Sequence, residues 1–371
     1  MSRELLGLLG FVILCIAMAP FYKEVNVSQI QNVQAIEYKT FKETIETHDK
    51  KTIVFMSDSF LPVTFAGSEL SAYETLKYLR SRGHTVTIFV NTWKVPEYDG
   101  FKIYKYDVYD PECKRHILNS DVVFYQMGND PNHLDIVKQR EKSVYIFIHM
   151  VNSFPWLIQQ PVSFPIVVIY NSHMTQDSLL THYDNMRMIP YVETSKFKPL
   201  RSRTVNSDIV CLINCNNNKG GEIFKQLAYS MPDVQFLGVK GGYSDQIIDS
   251  HPPSNLRYIE NQKDILVVFQ QIGILLMPSK NETWGRTAVE AMASGVPVIH
   301  SESPGLVECI GGAGILCMRD DEDAWIQAIH KLIRDRKYRE RIRQHGFKRI
   351  EEIEIEQRRG RQELAMKIED L

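Results

Sequence analysis

Short apolar runs punctuate the chain from residue 52 onward: TIVFMS (52–57), TVTIFVN (85–91), DVVFYQ (121–126), SVYIFIH (143–149) and PIVVIY (165–170). Most are apolar at nearly every position, as strands covered on both faces are, and segments of helical period lie between them. That alternation predicts parallel strands joined by crossover helices. Around residues 193–208, ETSKFKPLRSRTVNSD, the chain turns polar and basic, and the alternation then restarts with DIVCLI (208–213), VQFLGV (234–239), LRYIE (256–260), IGILLM (272–277) and VPVIH (296–300). The pattern predicts an α/β chain of two doubly wound, Rossmann-like domains facing a cleft, one over 51–192 and one over 193–335. Open parallel sheets bind ligands outside the carboxyl ends of their strands, so chemistry is expected in the segment just past each run.

The two ends of the chain carry other patterns. LLGLLGFVILCIAMAPFY, about seventeen apolar residues after Arg3 and Glu4, approaches the minimum length that crosses a hydrocarbon core. It reads as a single-pass membrane anchor over residues 1–22, succeeded by a polar linker over 23–50. A cleaved signal peptide is the competing reading, because Ala17-Met18-Ala19 has the small-x-small form, although Pro20 is a poor cleavage context. Lys23, Lys39 and Lys42 outweigh Arg3, which puts the body of the chain on the cytosolic side. In the opposite topology Asn26-Val-Ser would be a glycosylation acceptor. At the other end, 336–371 reads as a helical tail, with Tyr338, Ile342, Ile350 and Ile353 at helical spacing and nine Lys or Arg between Lys331 and Arg349. Such a helix either packs one face and leaves its charges solvated, or touches an anionic membrane.

Composition narrows the partners. At 371 residues, 44% apolar and a net charge of −2, the chain has room for a large core and lacks the basic excess of a nucleic-acid binder. Its six cysteines are scattered, which fits reduced, buried thiols better than a disulfide framework. No P-loop and no GxGxxG after the first strand of either half is present, and Cys309 and Cys317 lack companion ligands at zinc spacing. Asp321-x-Asp323 imitates a metal-binding acidic pair, but it stands where a helix begins and acids complement the dipole. No metal and no cofactor is expected.

The stretch SKNETWGRTAVEAMASGVPVIH (279–300) is the richest in chemistry. Gly285, Arg286 and Thr287 open a helix whose first amides lack intrahelical acceptors, and such a start carries about half a positive charge. A phosphate fits there. Glu290 lies a further turn along, where hydroxyls rather than phosphate oxygens are its natural partners. Paired ribose hydroxyls on a carboxylate are the dinucleotide-fold precedent. Glu282, in the preceding loop, is placed to hold a second polyhydroxylated ring. Two glutamates at this spacing also arise by chance, and a surface helix position is the plain alternative for Glu290. The small residues of AMASGVPVI, which pack the helix closely on the next strand, favour burial.

ETWGRTAVEAMASGVPVI, together with PGLVECIGGAGILC downstream, resembles the nucleotide-sugar site of the GT-B-fold glycosyltransferases of family four, over roughly residues 52–335. The resemblance implies that Glu282 contacts the sugar of the donor and Glu290 its ribose. It also implies roles for Gly67, in the loop AGSE after the first strand, for His149 at a strand end near the transferred sugar, and for Lys219, which neutralises the leaving phosphates. Without the resemblance, Gly67 would be a turn into a helix and His149 a structural histidine. MIPYVETSKFKP is similar to the family's interdomain linker. Two positions depart from the family pattern: Asn214 stands where an arginine is usual, and Thr283 where a glycine is usual.

The expected function is accordingly transfer of a sugar from a nucleoside diphosphate sugar to an acceptor hydroxyl on a glycan, lipid or protein, with retention of configuration implied by the resemblance. His149, Glu282 and Lys219 are the expected catalytic groups. Gly67, Lys219, Glu282, Gly285, Arg286, Thr287 and Glu290 are the expected donor-binding ones. Two other readings use the same residues: a membrane-tethered nucleotide-sugar binder without turnover, and an epimerase acting on the nucleotide sugar.

Overall fold

The computed structural model describes residues 49–126, 136–139, 142–150, 164–179, 181–197, 207–242 and 244–371. The expected membrane segment, Asn26 and nearly all of the polar linker lie outside the described residues, as does the middle of the basic stretch at 198–206. Among the described residues no helix is long and apolar enough to cross a membrane.

In the first half the strands are β1 (Thr52–Ser57), β2 (Thr85–Val90), β3 (Glu97–Tyr98), β4 (Phe101–Lys105), β5 (Val122–Gln126), β6 (Val144–Ile148), β7 (Ile166–Tyr170) and β8 (Asp184–Arg187). Among the described residues they form one sheet in the order β3-β4-β2-β1-β5-β6-β7-β8, parallel except where β3 meets β4. The apolar runs form its middle because both faces are covered. Ile53 and Phe55 of β1 join one core, while Val54 and Met56 join the core on the opposite face. The strands that the apolar pattern does not single out lie at the edges. β3 and β4 make a hairpin whose two turn residues, Asp99 and Gly100, have φ of 47° and 74°, the geometry Asp-Gly turns favour. β8 reads DNMR and buries only Met186 fully.

The second half holds β9 (Val210–Ile213), β10 (Phe236–Val239), β11 (Leu256–Ile259), β12 (Ile274–Met277), β13 (Val298–His300) and β14 (Ile315–Leu316). Their order, β11-β10-β9-β12-β13-β14, is parallel throughout. The chain runs outward from β9 in one direction and from β12 in the other. The carboxyl ends of these two neighbours therefore flank the crevice that such a reversal leaves. The same reversal separates β1 from β5 in the first sheet.

Helices cover both sheets. Those that matter for the site are α1 (Gly67–Ser81), α2 (His173–Ser178), α3 (Arg286–Ala293), α4 (Pro304–Ile310), α5 (Glu322–Arg334) and α6 (Arg336–Glu369). Asp321 caps α5 by accepting the Ala324 amide at 3.0 Å. The described cysteines, Cys113, Cys211, Cys215, Cys309 and Cys317, are buried free thiols.

The 34-residue helix α6 does more than close the second half. Ile350 and Ile353 sit in a core of the second sheet, whereas Leu364, Ala365 and Ile368 sit in a core of the first. Between them Gln357 donates to the Pro190 carbonyl at 2.9 Å, and the Arg361 guanidinium lies 3.6 Å from the centre of the Tyr191 ring. At its end Arg82 of the first half grips Glu369 through two hydrogen bonds of 2.6 and 2.8 Å. The apolar face expected for this segment is thus used to strap the halves together.

Leu364 is fully buried though it lies near the end of the chain. Leu364→Ala is expected to cost about 2–5 kcal/mol, the usual range for a buried leucine truncation. Chemical denaturation followed by the fluorescence of the first-half aromatics checks this, and a midpoint unchanged from wild type would mean that the strap adds nothing there.

Candidate active site

Two short loops build the centre of the site. After β9 the chain passes through Asn214 to Lys219, and after β12 it passes through Pro278 to Glu282. Asn218 joins them: its side-chain carbonyl accepts the Asn281 amide at 3.1 Å, its Nδ2 donates to the Asn281 carbonyl at 2.9 Å, and its own carbonyl accepts the Lys280 amide at 2.7 Å. With the loops locked together, the Lys219 ammonium forms an ion pair with the Glu282 carboxylate, and both side chains are mostly buried.

Gly285 comes next in the chain and caps α3 with φ of 124°, a backbone conformation that glycine alone adopts without strain. A side chain there would also strike Leu306, 2.7 Å from the place its Cβ would occupy. Glycine leaves the first turn of α3 without a side-chain cap. Arg286 turns back along the helix, its Nε 2.9 Å from Glu290 Oε1, while its Nη1 donates to the Tyr191 carbonyl at 2.6 Å. Glu290 is 7% exposed. Burial pushes its carboxyl above the usual carboxylate range, and the Arg286 guanidinium acts in the opposite direction.

From the first half, Gly67 stands at the start of α1 with its missing Cβ 4.0 Å from Arg286 Cδ. His149, just past β6, pairs its Nε2 with Gln126 Oε1 at 2.9 Å. Burial pushes its imidazole down to about 4, so the ring is neutral at physiological pH. The Gln126 Nε2 and the Ser57 hydroxyl, at the ends of adjacent strands, are buried without a hydrogen-bond partner among the described residues.

The structure thus gathers Lys219, Glu282, Gly285, Arg286, Thr287 and Glu290 at the carboxyl ends of β9 and β12, and sets Gly67 against Arg286 from the other side. In this structure each carboxylate holds a cation: Arg286 is four residues from Glu290 on one helix face, where such pairs meet. Asn214 serves geometry rather than charge. It adopts φ of 68°, which asparagine tolerates, and its Oδ1 accepts from Gln246 Nε2 at 3.0 Å.

Asn218, Gln126 and Asn171, the last just past β7 with its Nδ2 donating to the Thr283 hydroxyl at 3.1 Å, are hydrogen-bond partners of the gathered residues that the sequence pattern does not single out. Only Asn218 carries a signal, the polar run NCNNNK just past a strand. The other two are amides at strand ends, whose role depends on what the opposite segment brings to them.

The profile of the family described as glycosyl transferases group 1 matches residues 224–349. That stretch contains Glu282, α3, α4 and the beginning of α6. Over 110 residues the chain is 30% identical to the capsular polysaccharide biosynthesis glycosyltransferase CapM of Staphylococcus aureus, a match covering 29% of each protein. Over 81 residues it is 36% identical to a D-inositol 3-phosphate glycosyltransferase of Stackebrandtia nassauensis, covering 21% of this chain and 18% of that one. The matched region therefore spans less than a third of the length of either curated relative. Among solved structures, Anabaena Alr3699/HepE in complex with UDP-glucose aligns with a TM-score of 0.71 at 15% identity, covering 85% of this chain and all of that one. That likeness shows a GT-B fold of two parallel α/β sheets.

The His149 shift sets a pH dependence. A group whose pKa is lower folded than unfolded contributes stability above the unfolded value, and that stability is lost as pH falls through the folded one. For His149 the window runs from the ordinary histidine value of 6.5 down to about 4. His149→Gln is expected to flatten the acid limb of the melting curve between those values, relative to wild type. Parallel acid limbs in thermal scans would show that the ring does not titrate with folding.

Proposed function

We propose that this protein transfers a sugar from a nucleoside diphosphate sugar to an acceptor hydroxyl. The observation that carries the reading is the meeting of two cations, two carboxylates and an uncapped helix start at the reversal point of the second sheet, with a glycine of the first half facing them. In this reading the second half, residues 193–335, holds the donor and the first half, 51–192, the acceptor, with α6 tying them. The segment 1–22 anchors the protein to a membrane and leaves the catalytic part cytosolic.

The diphosphate takes Lys219, Arg286 and the amides at Arg286 and Thr287. As the bond from the anomeric carbon to the phosphate oxygen breaks, negative charge grows on that oxygen, and fixed donors stabilise it most where it is greatest. The acceptor oxygen forms the new bond to the anomeric carbon, and its proton passes to the departing diphosphate. Once the phosphates draw on the two cations, Glu282 is free to accept sugar hydroxyls and Glu290 ribose hydroxyls. His149, neutral near pH 7, orients the sugar from the first half. No side chain stands out as a nucleophile, and retention is carried by the family likeness.

UDP-glucose, the compound bound to Alr3699/HepE, is the first donor to test within a panel of nucleoside diphosphate sugars. Nucleotide release with sugar transfer or hydrolysis supports the reading; binding without release, or a rearranged donor, replaces it with a binder or an epimerase. Glu290→Ala is expected to weaken nucleotide binding more than about tenfold, since a buried polar group left without its partner costs about 1–3 kcal/mol. Calorimetric titration of the released nucleotide measures it, and unchanged affinity would remove Glu290 from the ribose role.

A further inference from the structure

The side chain at 283, where the family pattern has none, reaches across to the first half. Its hydroxyl donates to the His149 carbonyl at 2.7 Å and accepts from Asn171 Nδ2 at 3.1 Å. Asn171, only 5% exposed, cannot swing away freely. Its Oδ1 accepts from the Thr175 and Ser172 hydroxyls at 3.0 and 3.3 Å, and those two residues form the capping box of α2.

The other side of the same peptide is held by the second half. The Ser303 hydroxyl accepts the Glu282 amide at 2.8 Å. Gly305 at the start of α4 lies so close that a Cβ there would sit 2.2 Å from the Glu282 carbonyl oxygen and 2.4 Å from the Thr283 carbonyl carbon. Further along α4, the Glu308 carboxylate accepts the His173 and Met174 amides at 2.9 and 3.1 Å, so the second half caps a helix of the first. The Glu282–Thr283 peptide is thereby pinned between halves.

We propose that Thr283 is a positioning residue that fixes the Glu282 carboxylate of one half against His149 of the other by bridging the His149 carbonyl and the Asn171 amide. The bridge itself stands on these contacts alone; its consequence for turnover rests on the sugar-transfer reading. A glycine at this position has no hydroxyl to offer, so the link belongs to this chain's own sequence. It acts on the sugar side of the site and leaves the Arg286–Glu290 pair untouched.

Two measurements on the full chain test it. In hydrogen exchange read by mass spectrometry, Thr283→Val, which keeps the shape and removes the hydroxyl, is expected to speed exchange about tenfold in 144–150 and 171–179 as well as in 279–290. Thr283→Ser should stay within about twofold of wild type, and Asn171→Ala should reproduce the Val pattern from the opposite side. Faster exchange confined to 279–290, or none, would overturn the bridge. With UDP-glucose as probe, Thr283→Val is expected to lower kcat for nucleotide release about tenfold while UDP affinity holds within about twofold, with Ser restoring kcat. Equal losses in UDP affinity and kcat would overturn the positioning role. If wild type releases no UDP from UDP-glucose, that donor fails, and the exchange pattern still decides the bridge.

Discussion

The contact on which the site depends is the buried ion pair between Arg286 and Glu290. Glu290 sits on the inner face of α3, a helix packed on β12 and β13, where an isolated carboxylate is costly. Arg286 makes that burial tolerable from one turn away, and breaking such a pair from one side typically costs about 3–5 kcal/mol. Its guanidinium also donates to the Tyr191 carbonyl in the stretch connecting the halves. One residue thus orients the helix start, neutralises the floor of the site and fixes the connecting segment. The Arg361 ring contact holds Tyr191 from its other side.

That arrangement defines what can move. The strap α6 contributes apolar side chains to cores of both halves, so it resists separation in the way a core does. The contacts across the cleft are of another kind: the Thr283 bridge, the Glu308 cap on α2, and the pair of Arg187 with Glu308 at 3.7 Å. Such contacts are worth about 0.5–1.5 kcal/mol each where both groups are neutral and about 1.5–3 kcal/mol where one is charged. The halves are thus joined by buried apolar packing along α6 and by polar contacts around Thr283 and Glu308.

The sequence is legible where burial is two-sided and illegible where it is not. The central strands stand out because both faces must be apolar, and their edges agree with the observed ones to within one or two residues. β4, with FKIYK, buries Phe101 and Ile103 and exposes its other three positions, so its apolar signal is half as dense. β8 is a polar edge, held by pairing to β7. The site divides similarly. Glu282 and Glu290 stand out in the sequence by their place around a helix start that follows a strand, whereas Lys219 is singled out by the family resemblance. Asn171 meets Thr283 from 112 positions away, and no local pattern announces such a partner. Asn214 and Thr283 are visible in the sequence only as departures; the left-handed turn at Asn214 comes from its backbone, and the contacts of Thr283 come from its hydroxyl.

Under the proposed function, the charge inventory constrains how a diphosphate binds. Lys219 and Glu282 cancel, Arg286 and Glu290 cancel, and Asn214 adds nothing, so these groups carry no net charge for a diphosphate to meet. Attraction by bulk field is correspondingly small, in keeping with the net charge of −2. Affinity has to come from directed donors: the helix amides after Gly285, and cations that can turn from carboxylate to phosphate without moving their backbones. Each such exchange also releases a carboxylate, which needs a new donor in a poorly hydrated place. Hydroxyls of a sugar supply it, whereas inorganic diphosphate has none. In that reading, the same pairing that lets four charges share one crevice favours a ligand carrying phosphates and sugar rings at fixed spacing over either part alone.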